Sequence, residues 1–244
     1  MFEQKILDSI DVIAHSGIRI GGERIVYIDP VCVADAPHDA DLILFTHPHF
    51  DHFSPVDVRK LMKDDTVIAA PKSMIPLCSL MLRRKTISLL PNETTSLAGV
   101  SVTAVPAYNR RKPYHVKWMQ WLGYVLTVGE TKIYISGDTD LTDEARNVSC
   151  DIAMLPIGGF YTIDAVRAAE LANTIRPHTV IPIHYGMLMG GKDAPRRFCD
   201  ALDSDIAAEL RPAVYSSVLV SMYAKAALLI AAACLFGLLA GRFL

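Results

Sequence analysis

The stretch Thr46-His47-Pro48-His49-Phe50-Asp51-His52 gathers three imidazoles and a carboxylate within six residues. It follows directly on Asp41-Leu42-Ile43-Leu44-Phe45, whose composition predicts a buried strand emptying into a loop. A loop at a strand end can aim several side chains at one point. Imidazole nitrogens suit zinc and other first-row metals, and a carboxylate adds a harder oxygen able to serve a second ion nearby. The chain has only eight histidines. Three in this window, alternating with an aspartate, weigh against a histidine-rich surface loop arising by chance. The pattern H-x-H-x-D-H therefore predicts a dinuclear metal centre.

Two later segments repeat the logic of a buried strand ending in a ligand-type side chain. In Ile133-Tyr134-Ile135-Ser136-Gly137-Asp138-Thr139-Asp140 the glycine permits a sharp turn, and Asp138 follows it with two oxygens able to bridge a pair of cations. In Val180-Ile181-Pro182-Ile183-His184-Tyr185-Gly186 the side chain is His184. A lone histidine after an apolar run is usually structural, and Gly-Asp is a common turn pair. Their value comes from recurrence beside a cluster that still lacks ligands.

The elements that must position these groups are legible in part. Val12 to Ile20 and Arg24 to Ile28 are β-rich runs around Gly21-Gly22-Glu23, a hairpin signal, and the second ends in Asp29-Pro30. Ser54-Pro55-Val56-Asp57 supplies an N-cap, a proline in the first turn and an acidic first turn, predicting a helix to about Met62. A strand over Thr66 to Ala70 and a helix over Ser73 to Leu82 follow. Thr86 to Leu90 and Val100 to Val105 are expected as strands around the polar turn Pro91 to Thr95. Trp121 to Val128 and Lys132 to Ser136 form a second hairpin. A strand at Ile152 to Leu155, a helix from Asp164 to Ile175 capped by Thr162, and a strand at Thr179 to Ile183 complete a βα alternation. The predicted class is α/β, with two mixed sheets stacked face to face and helices outside.

A length of 244 residues allows one large α/β domain. The net charge is −2 with both signs interspersed, which gives no overall field for nucleic acid or an anionic surface. Cys32, Cys78, Cys150, Cys199 and Cys234 are scattered and never in a C-x-x-C pair. Reduced thiols and a cytoplasmic catalytic domain are expected, and the N-terminus lacks a secretory pattern. From Val218 to Gly241 the chain is almost wholly apolar, broken by Lys225, and Gly237 to Gly241 matches G-x-x-x-G. The expected organisation is a catalytic domain over 1–212 and a hydrophobic C-terminal helix over 213–244 that anchors it to a membrane. The alternative for the tail is a buried or partner-covered helix.

These motifs, in this order, resemble the metallo-β-lactamase superfamily over roughly residues 11 to 210. Ala14-His15-Ser16, Ile28-Asp29-Pro30, Val105 to Asn109, Trp121 to Tyr124, Leu155 to Gly159 and Pro182 to Gly186 resemble its small branch that includes ascorbate-6-phosphate lactonase and related zinc-dependent hydrolases. The resemblance implies a four-layer αββα sandwich with metals at one edge of the sheets. It implies that His47 and His49 hold one metal, that Asp51, His52 and His184 hold the other, that Asp138 bridges them, and that Asp29 fixes the metal loop from behind. One departure stands out. Where the branch often has another histidine this chain has Asn109, and His115, six residues on, is preferred as the ligand that folds back.

Two zinc ions are the expected cofactors, with manganese or iron also compatible with the donors. Such a pair makes hydroxide available near neutral pH and polarises a carbonyl or phosphoryl oxygen, which serves hydrolysis. Asp51 is expected to orient that hydroxide, and His115 or Tyr185 to donate to the developing oxyanion. Arg110, Arg111 and Lys112, in the basic, aromatic segment from Tyr108 to Trp121, would suit a phosphate or carboxylate, although a solvated charged turn has the same composition. The leading expectation is a metal-dependent hydrolase of a small anionic molecule, with lactones and phosphoesters favoured and nucleic acid not. The alternatives are a phosphodiesterase or nuclease acting on lipid or RNA, and a non-catalytic metal-binding scaffold tethered to a membrane. The oxygen- and nitric-oxide-reducing members of the superfamily are disfavoured because they use a glutamate where His49 stands.

Overall fold

The computed structural model describes residues 2–186 and 190–211. In chain order the elements begin α1 (Phe2–Asp8), β1 (Ile10–Ala14), β2 (Gly17–Ile20), β3 (Val26–Ile28), β4 (Ala40–Leu44), α2 (Pro55–Leu61), β5 (Met62–Pro71), α3 (Ile75–Leu82) and β6 (Ile87–Leu89). Then come β7 (Thr94–Leu97), β8 (Val100–Pro106), β9 (Leu122–Val128), β10 (Thr131–Ile135), α4 (Asp143–Arg146), β11 (Ile152–Pro156), α5 (Ala165–Ile175), β12 (Thr179–Ile183), α6 (Ala194–Ala201) and β13 (Ala207–Ala208). No helix among the described residues is long and apolar enough to cross a membrane. The helix expected over 213–244 lies outside the described residues.

One sheet has the order β1-β2-β3-β4-β5-β6, antiparallel from β1 to β3 and parallel from β3 to β6. The other runs β13-β12-β11-β10-β9-β8-β7, parallel from β13 to β10 and antiparallel beyond. Side-chain alternation assigns each face. Leu42 and Leu44 of β4 pack with Leu122, Ile133, Ile135, Met154 and Ile181 in the core between the sheets. Ile43 and Phe45 turn the other way, onto Val58, Leu61, Cys78 and Leu82 of α2 and α3. Tyr134, Ala153, Leu155 and Val180 of the second sheet turn onto Ala168, Ala169, Leu171, Ala172 and Phe198 of α5 and α6. This is the predicted αββα sandwich, and both faces of its central strands are covered, so those strands read as continuous apolar runs.

The local corrections have physical reasons. Val12 to Ile20 is not one strand. It is the β1–β2 hairpin, with Ala14 paired to Gly17 and His15 at φ 54° in the turn. The stretch after Pro91-Asn92 is not all turn, because Thr94 to Leu97 pair with β8. The cap of α5 is Asp164, which accepts from the Val166 and Arg167 amides, rather than Thr162, whose hydroxyl donates to the Ile163 carbonyl. The helix predicted from Ser54 is confirmed as α2, with Ser54 accepting from the Asp57 amide.

Candidate metal centre

The carboxyl ends of β3, β4, β10 and β12, the β1–β2 turn and the loop after β8 together supply every imidazole and carboxylate considered below. Backbone hydrogen bonds stitch these loops across the two sheets. The Leu122 amide donates to the Thr46 carbonyl at 3.1 Å, and the His184 amide to the His15 carbonyl at 3.2 Å. Close approach is built in at Gly137, φ 61°, where a Cβ would lie 3.0 Å from the Leu122 carbonyl oxygen and 3.1 Å from Thr46 Cβ. His15, Asp29, His115 and His184 also have positive φ, between 45° and 54°. Left-handed backbone at four non-glycine positions stores conformational strain, which the surrounding packing must hold in place.

Asp29 is the anchor. It is 1 % exposed and accepts from the Thr46 amide (2.7 Å), the Thr46 hydroxyl (2.5 Å) and His52 Nδ1 (2.7 Å). Because Thr46 gives its only hydroxyl proton to Asp29, its oxygen can only accept from His47 Nδ1, 2.9 Å away. One carboxylate thus fixes two imidazoles with Nδ1 protonated and Nε2 turned inward, the arrangement that orients histidines for a metal.

Two donor sets result. His47, His49 and His115 form one, and His15, Asp51, His52 and His184 the other, with the donor atoms of each set within 4.8 Å of one another. Asp138 lies between them. Its Oδ2 is 3.2 Å from His115 Nε2, 3.2 Å from His184 Nε2 and 3.8 Å from His47 Nε2, and its Oδ1 is 3.3 Å from His52 Nε2. Asp51 Oδ2 lies 3.3 Å from His15 Nε2 and 3.7 Å from His184 Nε2. His52 Nε2, Asp138 Oδ1 and both ring nitrogens of His184 are buried without a well-aligned hydrogen bond, although His52 Nε2 and His184 Nε2 lie 3.3 and 3.2 Å from the Asp138 carboxylate. Buried polar atoms are rarely left so. A donor set of imidazole nitrogens and carboxylate oxygens, with lone pairs converging and unmatched, fits first-row divalent metals.

The electrostatics agree for His15, His47 and His49, and His52 is the exception. Burial, reinforced by neighbouring histidines, lowers His15 and His49 to about 4 and His47 well below the usual imidazole range. All three are neutral at pH 7, as ligation requires. Burial alone would push Asp51 and Asp138 up, but the imidazoles around them outweigh it and hold both carboxyls well down, Asp51 through His52, His15 and His184 and Asp138 through His184, His52 and His115. Burial likewise opposes a charge on His52, yet Asp138, Asp51 and Asp29 raise it well above 6.5.

The structure brings His47, His49, Asp51, His52, His115, Asp138 and His184 together, with Asp29 behind them. Asn109 stands behind His115 instead of joining the donors: its side-chain amide donates to the Tyr161 carbonyl at 2.6 Å and the Tyr114 carbonyl at 3.0 Å and lies 3.2 Å from His115 Nδ1. It braces the turn that presents His115. Tyr185 departs from its expected place, since its hydroxyl donates to the Arg211 carbonyl at 3.0 Å and its ring packs with the core beneath α5 and α6. Two residues that the sequence reading quotes only as part of the resemblance, without a site role, belong to the site. His15 joins the second set, and the signal for it is the turn before Gly17. Trp121 walls the first set, with ring centroids 5.1, 5.0 and 5.4 Å from His47, His49 and His115.

Residues 10–184 match the family model of the beta-lactamase superfamily domain. The chain belongs to the metallo-β-lactamase superfamily. It is 30 % identical over 181 residues, 70 % of this chain and 80 % of the relative, to a UPF0173 metal-dependent hydrolase of Methanosphaerula palustris. A solved protein of Parabacteroides distasonis, proposed to be a metal-dependent hydrolase, superposes with a TM-score of 0.71 at 30 % identity, covering 83 % of this chain and 91 % of that one. A diiron β-hydroxylase of Streptomyces venezuelae gives the same TM-score of 0.71 at 14 % identity, over 84 % of this chain and 52 % of that one. The last is a likeness of fold alone. Likeness of this fold does not by itself select the reaction.

Proposed function

We propose that this metal-dependent hydrolase holds two divalent cations, zinc by the chemistry of its donors, and cleaves a small anionic substrate at a lactone or phosphoester bond. His47, His49 and His115 would hold one ion, His15, Asp51, His52 and His184 the other, and Asp138 would bridge them. The observation that carries the reading is the placing of one buried carboxylate within 3.2–3.8 Å of both donor sets. When bound, such a pair lowers the pKa of a water and polarises the substrate oxygen it meets.

The chain's own residues supply the rest. Asp29 and Thr46 hold the His47 and His52 rings so that their Nε2 lone pairs need no reorientation on binding. Asp51, kept ionised, stands beside His15 and His184 as an acceptor for the hydrogen of a bound water. Trp121 excludes solvent from one side of the histidines, which strengthens the electrostatics inside. Tyr185 has no part in this reading.

The test is metal analysis of purified protein together with turnover on a lactone panel and on bis-p-nitrophenyl phosphate. About two equivalents of zinc per chain are expected, with hydrolysis of one class that falls at least ~100-fold in His49→Ala. Two bound ions without turnover on either class would favour a metal-binding scaffold instead. Manganese or iron in place of zinc would correct the cofactor and leave the site standing.

A further inference from the structure

A cavity of about 400 Å³ is lined by Arg110, Arg111, Asp140 and Arg167, a volume within the range of small-molecule sites. Three of these residues come from loops that also carry donors of the metal centre, and Arg167 comes from α5. Arg110 and Arg111 sit in the loop that presents His115, closed by the Asn109 amide donating to the His115 carbonyl at 2.8 Å. Asp140 is two residues beyond Asp138, so their Cα atoms are at most ~7.6 Å apart.

The three arginines differ in how they are committed. Arg167 Nη1 is 2.9 Å from Asp140 Oδ1. Asp140 is only 2 % exposed and also accepts from the Leu141 amide, so this guanidinium is held by a buried charge. Arg110 reaches Asp143 at 3.6 Å, but both side chains are largely exposed, and such a pair is weak and easily exchanged. Arg111 has no acidic partner within 4.0 Å among the described residues. Lys112 is different again. Its ammonium donates to the carbonyls of Gly159 (2.7 Å) and Thr162, pinning the loop to the segment before α5. It is a brace, and the cavity is left to guanidinium groups, whose forked donors match carboxylate and phosphate oxygens.

We propose that this cavity is the subsite for a second oxyanion of the substrate, a carboxylate or phosphate separate from the bond that is cleaved, bound by Arg110 and Arg111 with Arg167 fixed behind them by Asp140. The proposal rests on the hydrolase reading above and adds a substrate requirement to it: two anionic or oxygen-rich ends, with the distal one carrying a full charge.

Two measurements on the metal-loaded full chain separate the subsite from the reaction. The first compares kcat/KM for p-nitrophenyl butyrate with the mono-p-nitrophenyl esters of glutarate, adipate and suberate, which add a carboxylate at increasing reach. The wild type should prefer one half-ester, and Arg110→Ala/Arg111→Ala should reduce that preference at least about tenfold, while Arg84→Ala, a surface charge elsewhere, should not. The second is calorimetric titration with inorganic phosphate, where the same double variant should bind at least about tenfold more weakly than the wild type. An unchanged preference together with unchanged phosphate affinity would overturn the subsite. Arginine-dependent phosphate binding without turnover on these esters, on the lactone panel or on bis-p-nitrophenyl phosphate would keep the subsite and count against the hydrolase reading. A preference for phosphate binding over every half-ester would identify the distal group as a phosphate.

Discussion

Asp29 ties chemistry to folding through three accepted hydrogen bonds, two from Thr46 and one from His52. Asp29→Asn keeps the shape but replaces one accepting oxygen with an NH₂ group that faces donors. His52 and Thr46 then lose their common partner, and zinc affinity should fall about 10–100-fold, measured by competition with a chromophoric chelator; unaltered affinity would deny Asp29 its orienting role. His15→Ala makes a separate prediction: zinc content falls from about two equivalents to about one, because the second donor set loses a nitrogen while the first is untouched. Retention of both ions would make His15 a packing residue. The contrast between the two histidine groups explains what the sequence could reveal. His47, His49 and His52 are adjacent in the chain, so their shared purpose is a local pattern. His15 and Trp121 acquire meaning only when distant segments converge, and His15 was further hidden by a turn lacking the usual Asn-Gly or Asp-Gly signal.

At the level of elements, the sandwich was largely legible because strands and helices alternate in hydrophobic pattern, and because strand ends carrying Asp29, His47, Asp138 and His184 repeat one design. What the pattern could not give was which face of β4, β10 or β12 meets the partner sheet, since both faces are apolar. Nor did it find α6, whose first turn contains Pro195, or distinguish Asp164 from Thr162 as the cap of α5. The predicted β9–β10 hairpin is present, but how closely its two backbones meet at Gly123 is not written in the sequence. At Gly123 a Cβ would lie 2.5 Å from the Ser136 carbonyl oxygen and 2.7 Å from that of Ile135, closer than real Cβ atoms come. Gly123→Ala must move backbone just before Asp138, and should destabilise the protein by about 3 kcal/mol or more. Gly137→Ala meets milder contacts but a positive φ, at about 1–3 kcal/mol. Urea unfolding of both variants checks the order, and an equal or inverted ranking would contradict this account of the sheet junction.

Across the whole molecule, the site exists because two sheets stack face to face with their ligands gathered at one edge, so folding and metal binding are coupled. The coupling has a pH signature in protein stripped of metal by a chelator. His15 and His49 titrate near 4 in the fold and near 6.5 in the unfolded chain. Between pH 6.5 and 4 the unfolded state therefore holds more protons, and stability is lost as the pH falls through that window. Asp51 and Asp138, held below their ordinary values, support the fold above about pH 3.9 and lose that contribution only in stronger acid. His52 acts in the opposite sense, because its raised value gives stability that is complete below pH 6.5 and fades as the pH climbs through its folded value. Two lowered histidines, joined by His47, oppose this single raised one. The stripped protein should accordingly lose more than about 2 kcal/mol between pH 6.5 and 4.5, since a tenfold change in a group's proton affinity on folding corresponds to ~1.4 kcal/mol before solvent and relaxation reduce it. Thermal unfolding followed by circular dichroism, with and without saturating zinc, measures this. Zinc at 100 times its Kd should add about 2.7 kcal/mol near neutral pH, and that increment should vanish toward pH 4.5 as protons displace the ion. A flat profile in the stripped protein, or a zinc increment independent of pH, would mean that these histidines are neither as buried nor as convergent as the fold places them.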